Sequence, residues 1–282
     1  MKLKMIFFLL ITIAINAQES KRFVYEYKMV PDINVQDSIV TNYMHLDSDQ
    51  TTSYFYNATK FEMDSLLETP GKLNELIAFK RYDQNLNYEI KKNRSTNTID
   101  YYKKFSGVAI WVPENESIKW TLLDENKKIG SWNCQKAQAD YRGRTWEAWF
   151  TTEIPISDGP YKFSGLPGLI VTIKDTENQH AFELIQIKTI QQPFKGLSQM
   201  RGLKKMTREE FITKTKERKF DPQTDIVSIN ISGSGNLTLS TTDGNHINLD
   251  GNELKKYAGK HGQYDAEIAR RLKLTNNQIE LN

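Results

Sequence analysis

One cysteine, Cys134, stands in a chain of 282 residues. An intrachain disulfide is therefore excluded, and stability has to come from a buried core. Neither sign of charge dominates, since 38 lysines and arginines face 35 aspartates and glutamates. Two of those cations, Lys2 and Lys4, fall in an N-terminal leader, which leaves 36 basic against 35 acidic side chains in the remainder. Such a balance offers no electrostatic footprint for nucleic acid. Long apolar runs are missing too. Ile6–Ile15 spans ten residues, whereas a membrane-spanning helix needs about 18. The chain also lacks a G-x-S-x-G elbow, an S-x-x-K pair, an H-E-x-x-H helix and a phosphate-cradling glycine loop. No catalytic chemistry announces itself, and no cofactor is implied.

What is present begins with the leader. Lys2 and Lys4 precede the apolar run Ile6–Ile15, and Ala17 supplies the small residue before a cut. This is the anatomy of a secretory signal peptide over residues 1–17. A single domain over 18–282 is expected in the periplasm or secreted. The absence of cysteine near the cut argues against a lipid anchor.

Thirteen Tyr, thirteen Phe and five Trp suit pleated, half-buried surfaces. Short alternating runs read as strands at 23–29, 38–46, 51–56, 88–92, 99–105, 108–112, 118–123, 169–174 and 180–190. A weak pair follows at 237–241 and 245–249, after a turn-rich stretch at 221–236. Helical spacing occurs at 61–67, 72–79 and, loosely, from Leu254 to Leu272. Thr207-Arg208-Glu209-Glu210 forms a capping box, flanked by Met206 and Phe211 as a hydrophobic staple, so a short helix is expected at 208–218. The expected fold is mainly β with minor α. It is a single antiparallel, curved sheet, half-barrel or sandwich-like, with a short capped helix and a C-terminal helical segment.

The clearest local unit is a hairpin whose strands, 129–141 and 144–152, flank the two-residue turn Arg142-Gly143. In that register Ala137, Ala139, Tyr141, Trp146, Ala148 and Phe150 share one face, a set suited to a core. Trp132, Cys134, Lys136, Asp140, Glu147 and Trp149 share the other. Arg142 and Arg144, beside the turn, are expected in water.

In Gly165-Leu166-Pro167-Gly168-Leu169-Ile170 the proline presets φ for a type II turn, with Gly168 expected at the position needing positive φ. This run, together with Gly159-Pro160-Tyr161-Lys162-Phe163 and Ala148-Trp149-Phe150-Thr151, resembles the GLPGLI family of exported bacterial proteins. Trp120, Lys128-Ile129-Gly130, Cys134-Gln135-Lys136-Ala137, Gly143-Arg144 and the ending Asn277-Gln278-Ile279-Glu280-Leu281 carry the same resemblance, with Gln278 where a proline is common. The resemblance implies export across the inner membrane of Bacteroidetes-type bacteria and brings no activity with it. The strand-rich pattern is also similar to exported β half-barrels that cradle lipids or lipoproteins, a likeness of fold and not of function.

Candidate residues follow from the mixed face of the hairpin. Trp132 and Trp149 offer contact area, and Lys136, Asp140 and Glu147 could orient a ligand. The same residues also read as a solvated strand face with cross-strand ion pairs. Cys134 is expected as a buried small hydrophobe. His45, His180, His246 and His261 are scattered. His180 and Glu183, three apart on a strand, point to opposite faces, and Asp47 with Asp49 lacks the rest of a calcium loop, so no metal site is expected. The sequence favours a non-enzymatic binding or accessory protein holding a hydrophobic or peptide-like ligand or an envelope protein. A hydrolase using Asp140 and Glu147 as an acid–base pair, and a structural scaffold of the envelope, remain as alternatives.

Overall fold

The computed structural model describes residues 20–59 except 32, 35 and 38, 86–191 except 106, 196–217, most of 226–249, and 279–280. The signal peptide and the helical expectations at 61–67, 72–79 and 254–272 lie outside the described residues.

Two meanders meet side by side. The first runs through β1 (Ser20–Met29), β2 (Val40–Ser48), β3 (Thr52–Asn57), β4 (Tyr88–Asn93), β5 (Thr98–Phe105) and β6 (Val108–Glu114). The second comprises β7 (Thr121–Ile129), β8 (Trp132–Tyr141), β9 (Arg144–Thr151), β10 (Leu169–Asp175) and β11 (His180–Ile190). Antiparallel pairing of β1 with β11 joins them into one sheet. A two-residue strand, β12 (Lys204–Lys205), runs parallel to β6. Among the described residues the sheet has twelve strands, with β12 and β7 as its edges, and it does not close into a barrel. It is therefore mixed at one edge rather than wholly antiparallel.

A second, three-stranded sheet pairs β13 (Ile226–Ile231), β14 (Leu237–Thr241) and β15 (His246–Leu249). Its first strand falls where the turn-forming residues predicted irregular chain. The helix α1 (Arg208–Glu217) starts at the capping box. Thr207 Oγ1 accepts from the Glu210 amide at 3.2 Å, and the Thr207 amide donates back to Glu210 Oε2 at 2.9 Å.

The hairpin β8–β9 follows the expected register, with Tyr141 opposite Arg144 and Gln135 opposite Phe150. Arg142 and Gly143 take φ of 52° and 80°, the left-handed pair that a tight hairpin turn demands. Ala137, Ala139, Tyr141, Trp146, Ala148 and Phe150 are all buried. Strand boundaries and one side-chain placement differ from the sequence reading here. Gly130, at φ 56°, turns the chain, so Ile129 closes β7 instead of opening β8, and β7 begins at Thr121 rather than at 118. Arg144 is not in water: it shares the core face with Trp146 and is buried, giving 2.8 Å to Asp175 and 2.9 Å to Gln179. Register decided its direction, and Asp175 made burial tolerable.

The loop between β9 and β10 lies against the buried face. Phe163 packs on Trp146 with ring centroids 4.6 Å apart, and Leu166 is buried beside them in the same cluster. A buried ion cluster holds the loop: Lys92 Nζ lies 2.5 Å from Asp158, and Arg94 reaches the same carboxylate at 2.9 Å. The Ile170 amide donates to the Asp158 carbonyl at 3.0 Å, and the Tyr25 hydroxyl donates to the Ile170 carbonyl at 2.7 Å. Gly168 does not adopt positive φ, so the predicted type II turn is absent; within the motif the positive φ falls at Gly165, at 98°. Gly168 is required for space, because a Cβ there would stand 2.0 Å from the Thr151 carbonyl oxygen. The motif is thus a strap packed against the inner face of the sheet.

Candidate binding site

Beside that strap the end of the core opens into a cavity of about 140 Å³. Its wall is aromatic because Tyr27 on β1, Tyr88 on β4 and Tyr101 on β5 all point to the inner face, and Phe211 of α1 closes one side. Tyr88 and Tyr101 stack with centroids 5.5 Å apart, Tyr161 meets Tyr88 edge-on at 5.7 Å, and Phe211 lies 5.5 Å from Tyr101. Burial pushes the hydroxyls of Tyr101 and Tyr161 up, with the Glu280 carboxylate adding to the shift. They therefore stay neutral donors. The Tyr27 hydroxyl meets His180 Nδ1 at 2.7 Å.

The floor is ionic. Lys162 is almost wholly buried at 2 % exposure, so its ammonium needs partners close by. It finds Glu114 at 2.6 Å and Glu280 at 2.7 Å. Glu280 Oε1 also accepts from the Tyr161 hydroxyl at 2.7 Å, and its Oε2 from Arg208 at 2.7 Å. Burial alone would push the Glu280 carboxyl up; Lys162, Arg208 and the Tyr161 hydroxyl outweigh that and hold it at about 2. Arg142 joins the cluster, 3.5 Å from Glu114 and 2.6 Å from Glu116. Tyr161, which carries Lys162 into place, sits at φ 53°, a left-handed conformation uncommon outside glycine. Such strain persists where surrounding contacts over-determine it. The arrangement presents neutral hydroxyls, a carboxylate–cation cluster and apolar area in one small volume.

Residues 140–172 match a family model described as "Protein of unknown function (Porph_ging)". The matched stretch contains the Arg142-Gly143 turn, β9, the strap and Lys162. Two solved structures of PNGF-II, in space groups P21 and C2, superpose with TM-scores of 0.51 and 0.49, each at 14% identity. They cover 78% and 79% of this chain, and the chain spans 40% of each PNGF-II chain. At that identity the likeness of the first is one of fold alone. No curated protein matches the chain.

The residues singled out from the sequence lie elsewhere: none of Trp132, Lys136, Asp140, Glu147 and Trp149 lines this cavity. Three of them do meet on the outer face of β8–β9. Lys136 lies 3.1 Å from Glu147 and 5.9 Å from the Trp149 ring, which Lys127 covers at 4.0 Å. The hydrogen bond from Lys136 to Glu147 holds its ammonium pKa above the usual value. Asp140 is exposed and accepts from Thr145 Oγ1 at 2.6 Å; Trp132 is partly buried at the far end of β8. In the register Asp140 faces Thr145 and Glu147 faces Gln138, so the two carboxylates are diagonal neighbours on one face. Cys134 is buried, and burial raises its thiol pKa, the opposite of what a reactive thiol needs.

Asp47 accepts from Arg22 at 2.6 Å and Tyr56 at 2.9 Å, while Asp49 Oδ1 caps the Thr51 and Thr52 amides. Among the described residues no group of His, Cys, Asp and Glu is placed to hold a metal ion, and no helix is long and apolar enough to cross a membrane. The sequence reading missed Glu114, Lys162, Arg208 and Glu280 as a site. A signal was present in Tyr161-Lys162-Phe163, a lone cation between aromatics inside a Gly-Pro turn.

Proposed function

We propose that this protein is an exported, GLPGLI-type accessory protein of the cell envelope that binds a peptide-like segment of a partner at the Tyr101–Lys162 cleft. Its place of work would be the periplasm or the outside of the cell. Export is supported by Lys2, Lys4, the apolar run Ile6–Ile15 and Ala17. The binding reading is carried by one observation, the tyrosine-lined cavity of about 140 Å³ over a buried charge cluster. Pockets for whole small molecules run from about 300 to 1,000 Å³. This one suits a single side chain, which favours a protruding residue of a peptide over a lipid. Tyrosine supplies contact area at low entropic cost and a hydroxyl for orientation.

A peptide panel scored by fluorescence anisotropy tests the reading. Thr215 lines the cavity from the exposed surface of α1. Thr215→Trp should block the cleft and weaken binding at least tenfold without disturbing the fold. Binding unaffected by that substitution, or no binding across the panel, would contradict it. Intact-mass measurement of the exported protein should give a chain starting at Gln18.

A further inference from the structure

Glu280 is separated by 118 positions from Lys162 and by 72 from Arg208, yet both of its carboxylate oxygens are satisfied by them and by Tyr161. Its neighbour Ile279 packs against the core cluster at the cleft. Two consecutive residues, an aliphatic one and a glutamate, thus make the whole described contact of this C-terminal stretch with the cleft. Two cations and a hydroxyl converge on this one carboxylate, while Glu114 lies 2.6 Å from Lys162 and 3.9 Å from Arg208. A carboxylate is what that place requires. Space remains beside Ile279 as well, because the cavity of about 140 Å³ persists with Ile279 and Glu280 among its lining.

We propose that the cleft recognises an apolar residue followed by glutamate in an extended segment of a partner protein, and that Ile279–Glu280 is the cis occupant that such a segment displaces. The inference rests on the binding function proposed above and names the ligand class of the same cleft. The two cations and the Tyr161 hydroxyl read the carboxylate through charge-assisted hydrogen bonds. The aromatic wall reads the preceding side chain. Because the cavity is not filled by isoleucine, a phenylalanine before the glutamate fits it better. The cis segment competes at an effective concentration that can reach the order of mM, so a partner engages when its own contacts exceed that handicap.

The test uses the full chain with Ile279→Ala and Glu280→Ala, checked for folding by circular dichroism, and three labelled hexapeptides: Asn-Gln-Ile-Glu-Leu-Asn, its Phe-Glu version and its Ile-Gln version. The expected order of affinity is Phe-Glu, then Ile-Glu, with Ile-Gln at least tenfold weaker, and every peptide weaker on the unsubstituted protein. A folded variant that binds neutral peptides equally well would overturn this inference while leaving the cleft as a binding site. A folded variant that binds no peptide, in this set or in the wider panel, would overturn both. Should the double variant not fold, the unsubstituted protein still decides the matter. Millimolar Phe-Glu peptide should hasten carboxypeptidase release of the C-terminal residues, and the Ile-Gln peptide should not; equal rates would overturn the proposal. A dimer in light scattering that is lost with Glu280→Ala would put a second copy on the cleft in place of a partner, and would overturn it too.

Discussion

Lys162 and Glu280 meet at 2.7 Å across 118 positions of sequence, and Lys162 is itself buried. The pair therefore joins the strap after β9 to the C-terminal stretch. Replacing Lys162 with methionine removes a cation that lies 2.6 Å from Glu114 and 2.7 Å from Glu280, both largely buried carboxylates. Urea denaturation should show a loss of about 3–5 kcal/mol. Adding Glu280→Gln should recover part of it, so that the double variant loses less than the two single losses combined. Additive losses would mean that the two side chains are not coupled.

Gly168 makes a sharper structural prediction. A methyl group there would collide with the Thr151 carbonyl, an immobile backbone atom, whereas a Cβ at Gly233 meets nothing within 4 Å. Gly168→Ala should cost at least ~2 kcal/mol, as overpacking of a close contact does. Gly233→Ala should stay within about 0.5 kcal/mol, as surface substitutions do. Equal thermal midpoints for the two variants would refute the steric account of the motif.

The fold was legible wherever a local rule fixed register. Alternation around Arg142-Gly143 placed six core residues correctly from Ala137 to Phe150, because a two-residue turn leaves no freedom in pairing. The capping box likewise located α1. Arg144 was misread because its charge argued for water while its register pointed inward, and Asp175, 31 positions away, is not visible locally. Ile226–Ile231 was missed because its pairing partner lies beyond Gly233-Ser234-Gly235, whose turn character dominated the reading. The cleft was illegible for a related reason. Glu114, Lys162 and Glu280 have no sequence period in common, and long-range packing alone brings them together. The outer face of β8–β9 drew attention instead because its charges and tryptophans are neighbours in sequence.

His45 should govern stability in mild acid. It is buried against Tyr56, and burial, reinforced by Arg22 and opposed by Asp47, lowers its pKa from 6.5 to about 4. Lys188 also faces it and acts in the same direction as Arg22. The unfolded chain thus binds a proton that the folded one refuses between those values. Stability from this group is complete above pH 6.5 and is lost as pH falls through about 4. The full effect is of the order of 3 kcal/mol. His45→Leu should flatten the stability profile in that window; a profile as steep as that of the unsubstituted protein would contradict the assignment.

Glu147 separates the two surfaces. Its ion pair with Lys136 is 26% exposed on the Glu147 side and lies on the outer face. Exposed pairs contribute about 0–1 kcal/mol. Glu147→Gln should therefore change stability by less than about 1 kcal/mol and leave peptide binding at the cleft unaltered. Loss of binding or of a cellular phenotype with this variant would return the outer face, and Asp140 with it, to consideration as a working site.

The most direct measurement is chemical-shift mapping with methyl-labelled methionine and indole-labelled tryptophan during titration with the Phe-Glu peptide. Met29 lines the cleft, Met44 is buried outside the cavity lining, and Trp149 marks the outer face of β8–β9. The account predicts a saturable shift of the Met29 methyl, with Met44 and the Trp149 indole unmoved. A titrating Trp149 signal beside a static Met29 would place binding on the outer face and contradict the cleft as the recognition site.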